Sequence, residues 1–255
     1  MKAWSKFKNK YSSRIGHALI QAHQDDQFIA AYPRSGSTWL RTIIVNILEP
    51  EAKGDPDYFN NLIPAVSIRN SRYINHLSSP RLIMTHSEWR MGIDKAVYLL
   101  RDGRDSFISS YHYHVTRRQK KISLEQFFDL YRQQVYGNMW HQNVNSWLNH
   151  GRATMGQNLY ILRFEDLKNN AATEVARVCE FLKIECSDSQ IQAALKYATI
   201  KNAKNIEQAK QGPLESNNHS FYRSGDVKQR VASSDQYVVH EFEKLSAETL
   251  ALAGY

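Results

Sequence analysis

Asp26-Gln27-Phe28-Ile29-Ala30-Ala31-Tyr32-Pro33-Arg34-Ser35-Gly36-Ser37-Thr38-Trp39-Leu40-Arg41 passes from a short apolar run, through a turn of small hydroxyl residues, into a helical pattern. Pro33 and Gly36 bracket the turn, and Ser37 and Thr38 are N-cap candidates. Leu40, Ile43, Ile44 and Ile47 return at helical spacing, which predicts a helix over about Ser37 to Leu48. A strand entering a helix this way points free backbone N–H groups and the positive end of the helix dipole into the turn, making it an anion cradle. It is not a Walker loop, because G-x-x-x-x-G-K-[ST] is missing and the cation, Arg34, precedes the glycine.

Outward from this stretch, three further apolar runs read as strands: Arg81 to Thr85, followed at once by His86; Lys95 to Arg101; and Leu159 to Phe164. The near-continuous apolar character of Lys95 to Arg101 suits a central parallel strand covered on both faces. Helices are expected from Gly103 to about Val115, after the capping-box spacing of Ser123 to Gln126, from Val135 to Asn149, from Ala171 to Leu182, from Ser187 toward Tyr197, and from Ser233 or Ser234 toward Leu252. Alternation of strands and helices predicts an α/β fold: one domain over residues 1–255, with a central, mainly parallel sheet flanked by helices. Residues 1–24 form a basic leader, residues 49–80 a loop-dominated stretch, and residues 201–230 a polar, lid-like surface segment.

Composition narrows the class. With 255 residues, 42% of them hydrophobic and both charge signs mixed, the chain is long enough for one full core and is not of the disordered type. A formal net charge of +8 favours an anionic ligand without choosing between nucleotide, glycan and nucleic acid. The two cysteines, Cys179 and Cys186, lack metal-ligand or disulfide-framework spacing, so they are expected as reduced thiols with no metal site. No apolar run approaches the roughly 20 residues of a membrane span, and the lysine-rich start lacks a signal-peptide apolar region, so the expected location is cytoplasmic.

The motif Tyr32-Pro33-Arg34-Ser35-Gly36-Ser37-Thr38-Trp39 resembles the 5′-phosphosulfate loop of the sulfotransferases that use 3′-phosphoadenosine 5′-phosphosulfate (PAPS), where the usual wording is Tyr-Pro-Lys-Ser-Gly-Thr-Thr-Trp. Val97 to Tyr111 resembles the strand and helix that bind the 3′-phosphate in that family, placing its arginine and serine on Arg101 and Ser109. A planar multi-donor cation with a nearby hydroxyl suits a phosphate dianion at a sheet edge. Arg81 to His86 resembles Pro-Arg-Leu-x-Lys-Thr-His and puts the family's general base on His86, with Glu88 in reserve. The same resemblance implies that Arg34, Ser35, Gly36, Ser37 and Thr38 hold the phosphosulfate, that Arg34 stabilises charge on the leaving group, and that Trp39 stacks on adenine. Phe164 falls where a tyrosine-like partner of the 3′-phosphate is expected, and Phe221-Tyr222-Arg223-Ser224-Gly225 resembles Phe-x-Arg-Lys-Gly, so Arg223, Ser224 and Gly225 would clamp the 3′-phosphate.

Several positions depart from the pattern: Met84 replaces the lysine before the Thr-His pair, Arg34 replaces lysine, Ser224 carries no charge, and the second adenine-stacking aromatic falls near Ile200. The implied activity is transfer of the sulfuryl group of PAPS to an acceptor hydroxyl, with an amine as second choice, releasing PAP and needing no metal. The acceptor is a small molecule or a glycan, nucleic acid is not expected as a partner, and oligomeric state is left open. Two rivals stand beside it: a nucleotide kinase-like phosphotransferase, and a non-catalytic binder of nucleotide or polyanion with the same fold.

Overall fold

The computed structural model describes residues 20–67, 69–117, 121–211 and 231–255. Four parallel strands, β1 (Gln27–Ala31), β2 (Leu82–Thr85), β3 (Ala96–Leu100) and β4 (Leu159–Arg163), form a sheet in the order β2-β1-β3-β4. The main helices are α1 (Ser37–Leu48), α2 (Gly103–His112), α3 (Leu124–Arg132), α4 (Trp140–Asn145), α5 (Phe164–Asn169), α6 (Ala171–Leu182), α7 (Asp188–Tyr197), α8 (Ile200–Gln211) and α9 (Gln236–Ala253).

Side chains alternate across each strand, so every strand feeds two cores. Phe28, Ala30, Ile83, Tyr98 and Leu100 face a layer built on Phe107 of α2, Phe127 of α3, Trp140 of α4 and Phe242 of α9. Ile29, Ala31, Met84, Val97 and Leu99 face the other, built on Leu40, Ile43 and Ile44 of α1, Val175 and Val178 of α6 and Ile191 of α7. Burial on both faces is why β1, β2 and β3 read as apolar runs, and the parallel pairing goes with the helical crossovers that cover those faces. At the amino edge Arg81 donates to Asp26 through Nε at 2.7 Å and also to the carbonyls of Ile74 and Gln21, so this buried charge pair has its remaining donors satisfied.

The capping box expected at Ser123 is formed, Ser187 opens α7 with a second one, and α6 has its expected bounds. Four expectations need correction. Residues 201–211 are not loop but the body of α8, which starts at Ile200: Ile200, Ala203 and Ile206 make a narrow apolar stripe, and Lys210 bonds both Asp55 and Asp57, the latter at 2.6 Å. The expected helix from Val135 to Asn149 begins only at Trp140 and widens into a π turn over Ser146–Gly151. Phe164 opens α5 instead of ending a strand. Among the described residues no side chain caps α1; its N-cap is Gly36, not Ser37 or Thr38.

Candidate active site

Segments leave the carboxyl edge of the sheet side by side: Tyr32 to Gly36 after β1, His86 after β2, Arg101 after β3 and Phe164 after β4. The chain runs from β1 to one side and then returns to pair β3 on the other, so the crevice between β1 and β3 is the switch point where open α/β sheets bind ligands.

The turn after β1 is tightly held. Gly36 has φ +98°, and a Cβ there would lie 2.5 Å from the Phe164 ring, so only glycine fits both the backbone and the space. Arg34 also takes a left-handed φ of 70°, a conformation that side-chain-bearing residues adopt at a cost and that aims it across the turn. Its Nε donates to Ser109 Oγ at 3.3 Å, and its guanidinium lies 5.0 Å from the centre of the Tyr113 ring. Ser35 is fully buried, its Oγ 3.4 Å from Ser106 Oγ. Ser37 is buried in the first turn of α1, and Thr38 is half-buried, its carbonyl accepting from Thr42 Oγ1 at 2.8 Å. With no side-chain cap, the first N–H groups of α1 point at the turn, beside the buried and half-buried hydroxyls.

Arg101 is buried, donates through Nη1 to the carbonyl of Arg34 at 3.0 Å, and lies 4.3 Å from the centre of the Phe164 ring. Asp105, one turn along α2, is its carboxylate neighbour at 3.7 Å, whereas Asp102 is taken by Arg104. Burial draws the Arg101 pKa down, opposed by Asp105, Glu165 and Asp102 in that order, and the guanidinium stays charged. Phe164 is itself buried, so it supports Gly36 and Arg101 from beneath, and Trp39 meets it edge-on with centroids 6.0 Å apart. Arg34, Ser35, Gly36, Ser109 and Arg101 are thus brought together; Ser37, Thr38 and Trp39 follow on the first turn of α1.

His86, an exposed residue, stands at the end of β2, and its Nδ1 lies 2.8 Å from the carbonyl oxygen of Ala31 at the end of β1. A carbonyl only accepts, so Nδ1 carries the proton and Nε2 keeps the lone pair. Loss of water to the surrounding walls lowers the His86 pKa below its ordinary 6.5; the Ala31 bond opposes this, and the positive Arg41 and Arg34 add to it. Glu88, the reserve base, accepts from Asn138 at 2.6 Å. Met84 points into the core below β2 and leaves the site without a cation there. Arg223, Ser224 and Gly225 lie outside the described residues.

The sequence reading missed Ser106, Tyr113 and the Ala31 carbonyl. Ser106 had a signal, since it precedes Ser109 by one helical turn; Tyr113 and Ala31 had none, because their contacts join segments 79 and 55 residues apart (113 minus 34, and 86 minus 31).

The family described as "Sulfotransferase domain" matches residues 24–254. Human sulfotransferase 1E1 is 28% identical over 205 residues, covering 73% of this chain and 68% of that relative. The guinea pig (Cavia porcellus) sulfotransferase 1E1 is also 28% identical, covering 91% and 87%, and cytosolic sulfotransferase 15 of Arabidopsis thaliana is 28% identical, covering 82% and 67%. Among solved structures, mouse sulfotransferase SULT7A1 complexed with PAP superposes with a TM-score of 0.71 at 21% identity, over 96% of this chain and 95% of that one. A retinol dehydratase in complex with androsterone and inactive cofactor PAP gives 0.66 at 19%, over 95% and 84%. By that match over nearly its whole length, this chain belongs to the sulfotransferase domain family.

Proposed function

We propose that this protein transfers the sulfuryl group of PAPS to an acceptor hydroxyl, or in second place an amine, with His86 as general base. The observation that carries the reading is the juxtaposition, at one sheet edge, of an uncapped helix N-terminus, two arginines and an imidazole whose Nε2 is the basic atom. PAPS fits this donor set, and the solved relatives that superpose on this chain carry PAP. The α1 N–H groups with Arg34, Ser35, Gly36, Ser37 and Thr38 would hold the 5′-phosphosulfate; Arg101 and Ser109, and by resemblance Arg223, Ser224 and Gly225, would hold the 3′-phosphate; Trp39 would meet the adenine. When bound, PAPS supplies an activated sulfuryl group on a good leaving group.

The chain's own part is positioning and charge. Nε2 of His86 takes the proton of the acceptor hydroxyl, and Ala31 steadies the imidazolium that forms through the Nδ1–H bond. Arg34 presents fixed positive charge where negative charge develops on the departing phosphate, which is the dominant kind of assistance in group transfer of this type. The acceptor is a small molecule or a glycan, and the cytosolic name of the A. thaliana relative supports a cytoplasmic location. Within this reading the chain works as one domain.

The test is His86→Ala, assayed with PAPS and a panel of alcohols, phenols, amines and glycans. Transfer should fall by at least about a hundredfold, as for loss of a general base, while PAP affinity stays within about threefold. A variant as active as the parent on the same acceptor would remove His86 from the reaction.

A further inference from the structure

The segment from His86 to Trp89 is tied, residue after residue, to the stretch Asn138 to Trp147. Asn143 Nδ2 donates to the His86 carbonyl at 3.2 Å, Trp147 Nε1 donates to the Ser87 carbonyl at 2.9 Å, Asn138 Nδ2 donates to Glu88 at 2.6 Å, and the Trp89 N–H donates to Ser146 Oγ at 2.9 Å. Asn143 is almost fully buried, and its other end is fixed as well: the buried Tyr98 hydroxyl donates to Asn143 Oδ1 at 2.8 Å. Tyr98 belongs to β3 and stacks on Trp147 with centroids 5.0 Å apart and planes 15° from parallel. The amide orientation follows from its partners, since a carbonyl can only accept from Nδ2, and Oδ1 is thereby left for the hydroxyl. The π turn over Ser146–Gly151 widens the helix just where Ser146 and Trp147 reach back to the segment.

These contacts hold the backbone of His86 from one side while Ala31 holds its ring from the other. A histidine at the exposed end of a short strand would otherwise be free to turn either nitrogen outward. We propose that Asn143, locked by Tyr98, is a positioning residue that keeps His86 in the Nδ1-protonated form with Nε2 facing the reaction. It touches neither donor nor acceptor; it acts through the His86 carbonyl. The inference rests on the reading of His86 as base, and its test separates the two.

The experiment is nitrogen-15 NMR of the histidine imidazoles in the full chain, with the His86 signals assigned by comparison with His86→Gln. The parent should show His86 as a single tautomer with Nδ1 protonated. Asn143→Ala, and to a lesser degree Tyr98→Phe, should give a mixture in which both nitrogens shift toward a common averaged position, while PAP affinity by calorimetry stays within about threefold. If Asn143→Ala does not fold, Tyr98→Phe decides alone. Folded variants that bind PAP and keep the parent's tautomer would overturn the proposal. A parent His86 protonated on Nε2 would overturn it together with the base assignment. Tautomer loss in the variants combined with full transfer by His86→Ala would leave the brace standing and remove the catalytic reading alone.

Discussion

The imidazole of His86 must be neutral to take a proton, and its surroundings favour that form. Because its folded pKa lies below the ordinary 6.5, the unfolded chain binds this proton more readily between the two values. Stability contributed by His86 is therefore complete above 6.5, declines as pH falls through 6.5 toward the folded value, and is level below it. Transfer activity should hold further into acid than an ordinary histidine would allow: the acid limb of kcat/KM, followed between about pH 5 and 8, should have its midpoint below 6.5, and a midpoint above 6.5 would contradict the arrangement. Arg101 makes a separate, ligand-specific prediction. Arg101→Ala should weaken PAP by about 1.5–3 kcal/mol, roughly ten- to a hundredfold, and adenosine 5′-phosphosulfate by less than about threefold, since only PAP carries the 3′-phosphate. Equal losses in calorimetry would mean that its bonds to Arg34 and Asp105 serve the fold alone. His86 and Arg101 were singled out by their resemblance to family motifs, and the structure places both at the carboxyl edge of the sheet; Asn143 was not, because its contact with His86 spans 57 residues and nothing local announces it.

The turn between β1 and α1 shows how an element can be read from sequence while its mechanics are not. The order strand, turn, helix came out as expected, and the helix has its expected bounds, Ser37–Leu48, because the apolar period changes from strand-like to helical across Gly36. The expected hydroxyl cap did not form; leaving α1 uncapped keeps its N–H groups for a ligand. Nor could the sequence show that a ring 128 residues on (164 minus 36) closes beneath the glycine. Gly36→Ala should cost about 1–3 kcal/mol through the left-handed backbone and more through displacement of Phe164, with a lowered Tm and weakened PAP binding together. A variant with parental Tm and PAP affinity would show that the turn has room the structure does not give it. α8 was missed for a different reason: a stripe of Ile200, Ala203 and Ile206 among lysines and asparagines is too narrow to stand out, and its place is set by Asn202 and Lys210 reaching the loop at Lys53 to Asp57.

The molecule as a whole is a parallel sheet with both faces covered, and that much follows from apolar runs buried on two sides. The order β2-β1-β3-β4 does not follow from them, because pairing between strands dozens of residues apart is decided by packing across the layers and not by any local pattern. Yet that order brings the ends of β1, β2 and β3 to one edge and so gathers Arg34, His86 and Arg101, three residues spread over 67 positions (101 minus 34), around one crevice. No helix among the described residues is long and apolar enough to cross a membrane, and the formal charge of +8 adds a general attraction for anions that cannot by itself select one. Selection has to come from the crevice, and it separates a PAPS enzyme from a kinase-like one: a 3′-phosphate and a 5′-phosphosulfate should be held, a triphosphate with Mg²⁺ should not. Calorimetric titration of the purified chain with PAP, and with ATP plus Mg²⁺ in parallel, tests this most directly. PAP should bind at least about a hundredfold tighter than ATP, a difference of about 2.7 kcal/mol; equal affinities, or heat from ATP and none from PAP, would contradict a PAPS site.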